Sequence, residues 1–106
     1  MYRGTTPVLP ITIKGIDLSE ARVFLTIQNG PKDQLTLVAP DDFQLTYDGE
    51  DTVGEVPLTQ RQTLALTATA HEAQIRWILA DGTAGATKKA TVFVNNVLLK
   101  GVISYE

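Results

Sequence analysis

Residues Glu72 to Val94 read EAQIRWILADGTAGATKKATVFV, and this stretch limits what the chain can fold into more than any other. Ala73, Ile75, Trp77 and Leu79 fall on one phase of a two-residue period, Gln74 and Arg76 on the other. A period of two is the side-chain repeat of a β-strand with one buried face. A second β-rich run, Ala90 to Val94, closes the stretch. Between the two runs sits Asp81-Gly82, a dipeptide whose access to positive φ suits a tight hairpin turn. The stretch predicts the central hairpin of a small all-β domain, with Trp77 as its largest core side chain.

The rest of the chain repeats the signal. Pro7 to Ile13 predicts a first strand. Pro7 and Pro10 cannot donate to a ladder, which puts that strand on an edge. Gly15 to Ser19 reads as a loop containing Ile16 and Leu18. Ala21, Val23, Leu25 and Ile27 share one phase of a second strand, with Phe24 interrupting the polar phase. Asn29-Gly30-Pro31-Lys32 is a turn cluster. A third strand follows over Gln34 to Val38, and a fourth carries Phe43, Leu45 and Tyr47. Asp48-Gly49 is another hairpin signal, and Thr52 to Leu58 a fifth strand interrupted by Gly54. Thr59 to Leu66, TQRQTLAL, predicts a short helical turn crossing between sheets, with a threonine able to cap it; a longer helix is the competing reading. Val97 to Tyr105 predicts a last strand, or a short helix and then a strand. Short strands with turn signals between them indicate a sandwich or a small barrel.

Composition excludes more than it assigns. The 106 residues suit a single domain, 1–106. Thr, Val, Ile and Leu favour strand. A net charge of -3 repels phosphate backbones, so nucleic acid is not an expected partner. The chain has no cysteine, hence no disulfide or thiolate chemistry. MYRGTTPVLP lacks the apolar core of a secretory signal, and no apolar run approaches membrane-spanning length. The expectation is a soluble protein made in the cytoplasm, without a membrane partner.

The residues that could carry chemistry all have plainer readings. Asp41, Asp42, Asp48, Glu50, Asp51 and Glu55 are acidic, but their spacing matches no calcium loop, and solvated turns account for them. His71 is the only histidine, so it has no partner for a zinc site, and it reads as a loop residue before a strand. Ser19 and Ser104, the only serines, lack a nucleophile-elbow context. DGTAGAT is not a phosphate loop; Gly82 reads as a turn and Gly85 as a bulge or bend. Trp77 as a sugar platform competes with core burial, which its phase favours. Lys88, Lys89 and Lys100 suit solvated edges. No residue is assigned a catalytic, cofactor-binding or metal role, and the expectation is a protein that is not an enzyme.

One feature exceeds the needs of a single sandwich, which requires one apolar face per sheet. Phe24, Ile78 and Phe93 lie on the polar phases of their strands, and the tail adds Val97, Leu98, Leu99, Val102, Ile103 and Tyr105. This surplus predicts a protein-interaction surface for self-association or a partner, in preference to coverage by the tail alone.

Four segments in a fixed order also carry a resemblance: RGTTP at Arg3 to Pro7, LTQRQTL at Leu58 to Leu64, AQIRWILADGTAGAT at Ala73 to Thr87, and VNNVLLKGVIS at Val94 to Ser104. Over nearly its whole length the chain resembles small prophage-encoded structural proteins of Gram-positive bacteria, similar to the N-terminal domain of phage baseplate upper proteins. The resemblance implies an immunoglobulin-like antiparallel β-sandwich of about seven to eight strands with one short helical turn near residues 59–66. It implies a non-enzymatic tail or baseplate component, associated with the virion, whose partners are other phage structural proteins or further copies of itself. It supplies no functional residues. A carbohydrate- or cell-surface-binding module on the same fold is the alternative.

Overall fold

The computed structural model describes residues 1–30 and 32–105, with residues 32–34 described by backbone alone. Pro31, in the expected turn, lies outside the described residues. The elements are β1 (Val8–Lys14), β2 (Arg22–Asn29), β3 (Lys32–Ala39), β4 (Gln44–Tyr47), β5 (Asp51–Pro57), α1 (Gln60–Leu64), β6 (Ala70–Ile78), β7 (Ala84–Ala86) and β8 (Ala90–Phe93). Two antiparallel sheets result. One has the order β1-β5-β4; the other runs β3-β2-β6, and β7 and β8 each pair with part of β6. The fold is an all-β sandwich. Its strand order matches the B-E-D and C′-C-F-G sheets of an immunoglobulin domain, with β7 and β8 sharing the G position. No described strand takes the position of A beside β1.

The alternation read from the sequence sets the core. Val23, Leu25 and Ile27 of β2 face Ile11 and Ile13 of β1 and Val56 of β5 across the sandwich, all buried. Burying each such aliphatic side chain contributes about 1.5–3 kcal/mol. β1 is an edge strand, as its prolines require. Leu58 N–H donates to Pro7 O at 2.9 Å, so the odd-numbered residues of β1 carry the ladder to β5. Pro10, an even-numbered residue, therefore turns its N–H-less nitrogen to the open side, where no ladder bond is lost.

Several elements depart from the sequence reading. β6 begins at Ala70 rather than Ala73, which brings His71 into the sheet opposite Val92, and its side chain is only 2% exposed. Its Nε2 donates to the Thr67 carbonyl at 2.7 Å. It is a core residue, not a loop histidine. Leu18, in the loop before β2, is also buried. The buried Thr52 hydroxyl holds that loop down, donating to Ile16 O at 2.7 Å and accepting from Leu18 N–H at 2.8 Å. Trp77 lies at the margin of the core, half-buried and packed against it, and is not the largest fully enclosed side chain. Gly85 is neither bulge nor bend: it pairs with Trp77 in register, and the indole occupies the space a Cβ would need. The β6–β7 turn spans Ala80 to Gly82. Gly82 N–H donates to Leu79 O at 2.9 Å, and only Gly82 takes a positive φ.

Residues 97–105 form neither strand nor helix. The alternatives of a last strand or a helix followed by a strand are both overturned. The segment runs through bends at Leu98, Leu99 and Gly101, and Gln60 holds both backbone groups of Ile103, so it is tied to α1 and not to a sheet.

Candidate protein-interaction surface

The features most relevant to function gather at one corner of the sandwich, around α1. Five residues are too few for a helix to persist on propensity alone, so its ends are tied down. Thr59 Oγ1 accepts from Gln62 N–H at 3.1 Å, and Gln62 Oε1 accepts from Thr59 N–H at 2.8 Å, a complete capping box. The buried Thr63 hydroxyl donates to Thr5 O at 2.9 Å, fixing the N-terminal segment to the helix. Arg3 reaches the other end. Its Nη2 donates to Leu64 O at 2.7 Å and its Nη1 to Asn96 Oδ1 at 3.2 Å. A cation at the carbonyl end of a helix complements the exposed C=O groups there.

The chain's two ends meet at the same corner. Tyr2 and Asn95 form a parallel bridge, Arg3 N–H donates to Asn95 O, and Asn95 N–H donates to Met1 O. Gln60 grips the tail with both ends of its amide. Its Nε2 donates to Ile103 O at 3.0 Å, and its Oε1 accepts from Ile103 N–H at 2.8 Å. The segments Arg3 to Pro7, Leu58 to Leu64 and Val94 to Ser104 therefore converge in space. Sequence reasoning missed Arg3 and Gln60 as the residues that position the tail and Thr63 as the one that ties the N-terminal segment to α1. The capping pattern TQRQ was the one local signal for that corner.

The tail held this way is open to solvent. Leu98, Leu99, Val102, Ile103 and Tyr105 are exposed, Leu99 at 72%. On the sheet that contains β6, Phe93 is 65% exposed and Ile78 is exposed, while Phe24 is half-buried. Phe24 and Ile78 line one outer-face depression with Arg76 and Ala84. Phe93 belongs to the other end of the sheet, opposite Ala70. The eight expected surface residues thus divide into Phe24 and Ile78 on the outer face, Phe93 at the end of β8, and the five residues of the tail. The tail does not bury the surplus apolar surface; it adds to it.

Several of the residues weighed for chemistry are engaged in turns and ion pairs. The Asp48 carboxylate accepts from the N–H groups of Asp51 at 2.7 Å and Glu50 at 2.9 Å within its turn, and these bonds hold its pKa below the usual value. Asp42 accepts from Val38 N–H at 2.8 Å and Asp51 from Gly15 N–H at 3.0 Å. Asp41 lies 3.4 Å from Arg22, and Lys89 lies 3.4 Å from Glu72, both pairs exposed. Such pairs contribute about 0–1 kcal/mol. Ser19 Oγ donates to the Asp17 carboxylate at 2.6 Å, which with the Ser19 backbone N–H lowers the Asp17 pKa. No described helix is long and apolar enough to cross a membrane. No family model, curated protein or solved structure matches the chain.

Proposed function

We propose that this protein is a non-enzymatic structural or assembly component of a phage or prophage tail or baseplate, acting through protein–protein contacts. The observation that carries the reading is the corner where Arg3 and Gln60 hold an apolar tail open to water, together with the exposed Phe93 at the end of β8. Scattered exposed apolar residues are ordinary, whereas a group of this kind marks an interaction surface. The resemblance of the Arg3–Pro7, Leu58–Leu64 and Val94–Ser104 segments to prophage structural proteins supplies the setting. A sugar-binding reading receives less support, because Trp77 packs against the core instead of offering an open ring face. The test is capture of purified tail and baseplate proteins from the same particle by the immobilised chain, with Phe93→Asp as comparison. Capture that Phe93→Asp weakens, with an unchanged circular dichroism spectrum, supports the reading. No capture by the wild-type chain overturns it.

A further inference from the structure

On the outer face of the sheet that contains β6, Arg22 lies 3.4 Å from Asp41 at one end and Lys89 lies 3.4 Å from Glu72 at the other. Arg76, exposed between them, has no hydrogen bond or ion pair among the described residues. The register sets it among apolar side chains. Phe24 is its cross-strand partner in β2 and Ala86 its partner in β7, while Val38 of β3 pairs with Phe24 from the far side. Ile78 and Ala84 pair in the adjoining row. Directly opposite residues stand on one face of a sheet with Cβ atoms about 4.5–5.5 Å apart. Phe24, Arg76, Ile78 and Ala84, with Thr26 and Thr36, line a depression of about 430 Å³. The two threonine hydroxyls bond each other at 3.3 Å, which leaves the guanidinium as the one charged group of the depression.

Charge complementarity states what this face accepts. An unpaired guanidinium selects a carboxylate, with which it makes two parallel hydrogen bonds. The flanking Phe24 and Ile78 select apolar groups beside that carboxylate, and a partner resting on them excludes water and strengthens the ion pair. The occupant has the extent of a protein. Small ligands are enclosed over about 70–90% of their surface, whereas Arg76, Ile78, Ala84 and Thr36 are all exposed on an open sheet face. A polyanion such as nucleic acid meets a chain of net charge -3. A second copy docked by the same patch about a two-fold axis sets Arg76 against Arg76.

We infer that this face docks a different protein, through one Asp or Glu side chain of that partner flanked by apolar residues. Arg76 is the anchor, and Phe24 and Ile78 are its apolar contacts; arginine and aromatic side chains are the residues on which binding energy concentrates. The inference rests on the protein-contact reading above and adds a surface separate from the tail and from Phe93, which lies at the opposite end of β6.

The test measures, by interferometry, binding of the tail or baseplate protein captured in the experiment above to the full-length chain and its variants, with circular dichroism reporting the fold. Arg76→Gln removes the charge, and Ile78→Thr removes apolar surface with a residue that strands favour. Loss of one member of a buried charge pair is expected to raise Kd at least roughly 30-fold in Arg76→Gln. The remaining binding should depend less on salt. Arg76→Lys keeps the charge without the planar fork and is expected between the two. Lys88→Gln removes a cation outside the depression and is expected to bind as the wild type does. Carbodiimide amidation mapped by mass spectrometry should find one partner Asp or Glu protected by the wild-type chain and labelled in the presence of Arg76→Gln. Wild-type affinity in Arg76→Gln and Ile78→Thr, with capture still weakened by Phe93→Asp, would overturn this inference and leave the broader reading standing. A wild-type chain that captures nothing would overturn both. Oligomers of the chain that Arg76→Gln dissociates would make the occupant a second copy and overturn the assignment to a different protein.

Discussion

Gly85 lies against the indole of Trp77, and a Cβ built on it would stand 2.5 Å from Trp77 Cζ2 and 2.6 Å from Cε2. The two residues are register partners in β6 and β7, so the ring folds over the bare backbone of the neighbouring strand. Gly85→Ala must push the indole or the strand aside. Overpacking of this kind costs roughly 1–3 kcal/mol. Denaturant unfolding followed by Trp77 fluorescence should show a lower midpoint, and an unchanged midpoint would mean that the ring moves freely.

Thr52 supports a second prediction. Its hydroxyl is buried and bridges the Ile16 carbonyl and the Leu18 N–H. Thr52→Val keeps the shape and leaves both backbone groups short of a partner. An unmade buried hydrogen bond costs about 1–3 kcal/mol. Thr52→Ser retains the hydroxyl and should recover most of the polar part of that loss. A Thr52→Val variant as stable as the wild type would show that the bridge contributes nothing.

What the sequence revealed depended on how local each cause is. The strands were legible because alternation is written residue by residue, as in Val23, Leu25 and Ile27. The helical turn was legible because Thr59 and Gln62 are three positions apart. His71 was misread because Thr67 to Ala70 carries no alternation; the ring is buried through the pairing of β6 with β8, more than 20 residues later. Leu18 lies in the loop the sequence indicates, but its burial was not legible because Thr52, the residue that holds it, lies in another strand. The exposed apolar surface was half legible. Apolar residues on polar phases marked Phe24, Ile78, Phe93 and the tail, but Arg3 with Leu64 and Gln60 with Ile103 are long-range bonds with no local pattern.

The turn carboxylates predict an acid limb in stability. Hydrogen bonds lower the pKa of Asp48, chiefly from Asp51 N–H and then Glu50 N–H; of Asp17, chiefly from the Ser19 hydroxyl; and of Asp81, chiefly from Thr83 N–H. Each folded pKa lies below the ordinary aspartate value of 3.8. Their contribution is therefore fully present above about pH 3.8 and is lost as pH falls through the folded values. Melting temperature should fall below pH 4. The drop should be shallower in the triple variant Asp17→Asn, Asp48→Asn, Asp81→Asn, which has no carboxylate to protonate at these turns. Matching acid limbs in the two proteins would assign the pH dependence to other groups.

Arg3 should act as a staple between the N-terminus, α1 and the start of the tail. Arg3→Met keeps an apolar stem but loses the bonds to Leu64 O and Asn96 Oδ1. Hydrogen bonds to charged groups contribute about 1.5–3 kcal/mol each when made, and partial exposure of the Asn96 bond lowers its share. The expected signature is a drop in unfolding midpoint, with faster amide exchange at Tyr2 to Thr5 and in α1. Slow exchange at those positions despite the substitution would mean that the Thr63–Thr5 bond and the Tyr2–Asn95 bridge suffice.

Gln60 separates holding the tail from holding the fold. Its two bonds to Ile103 lie between exposed groups and link the tail to α1 without contributing to the core. Gln60→Ala should leave the melting temperature within about a degree or two, since surface substitutions typically change stability by less than about 0.5 kcal/mol. It should nevertheless free the tail. Lys100 is exposed, and trypsin cleaves after it only when the neighbouring backbone can extend into the protease. Cleavage there should accelerate roughly several-fold, because local opening governs proteolysis of segments with few buried contacts. Cleavage after Lys14, in β1 and next to the core, should keep its wild-type rate. Acceleration at both sites would show that Gln60 supports the whole corner. Acceleration at neither would show that Val97, half-buried where the tail leaves the sandwich, already secures it.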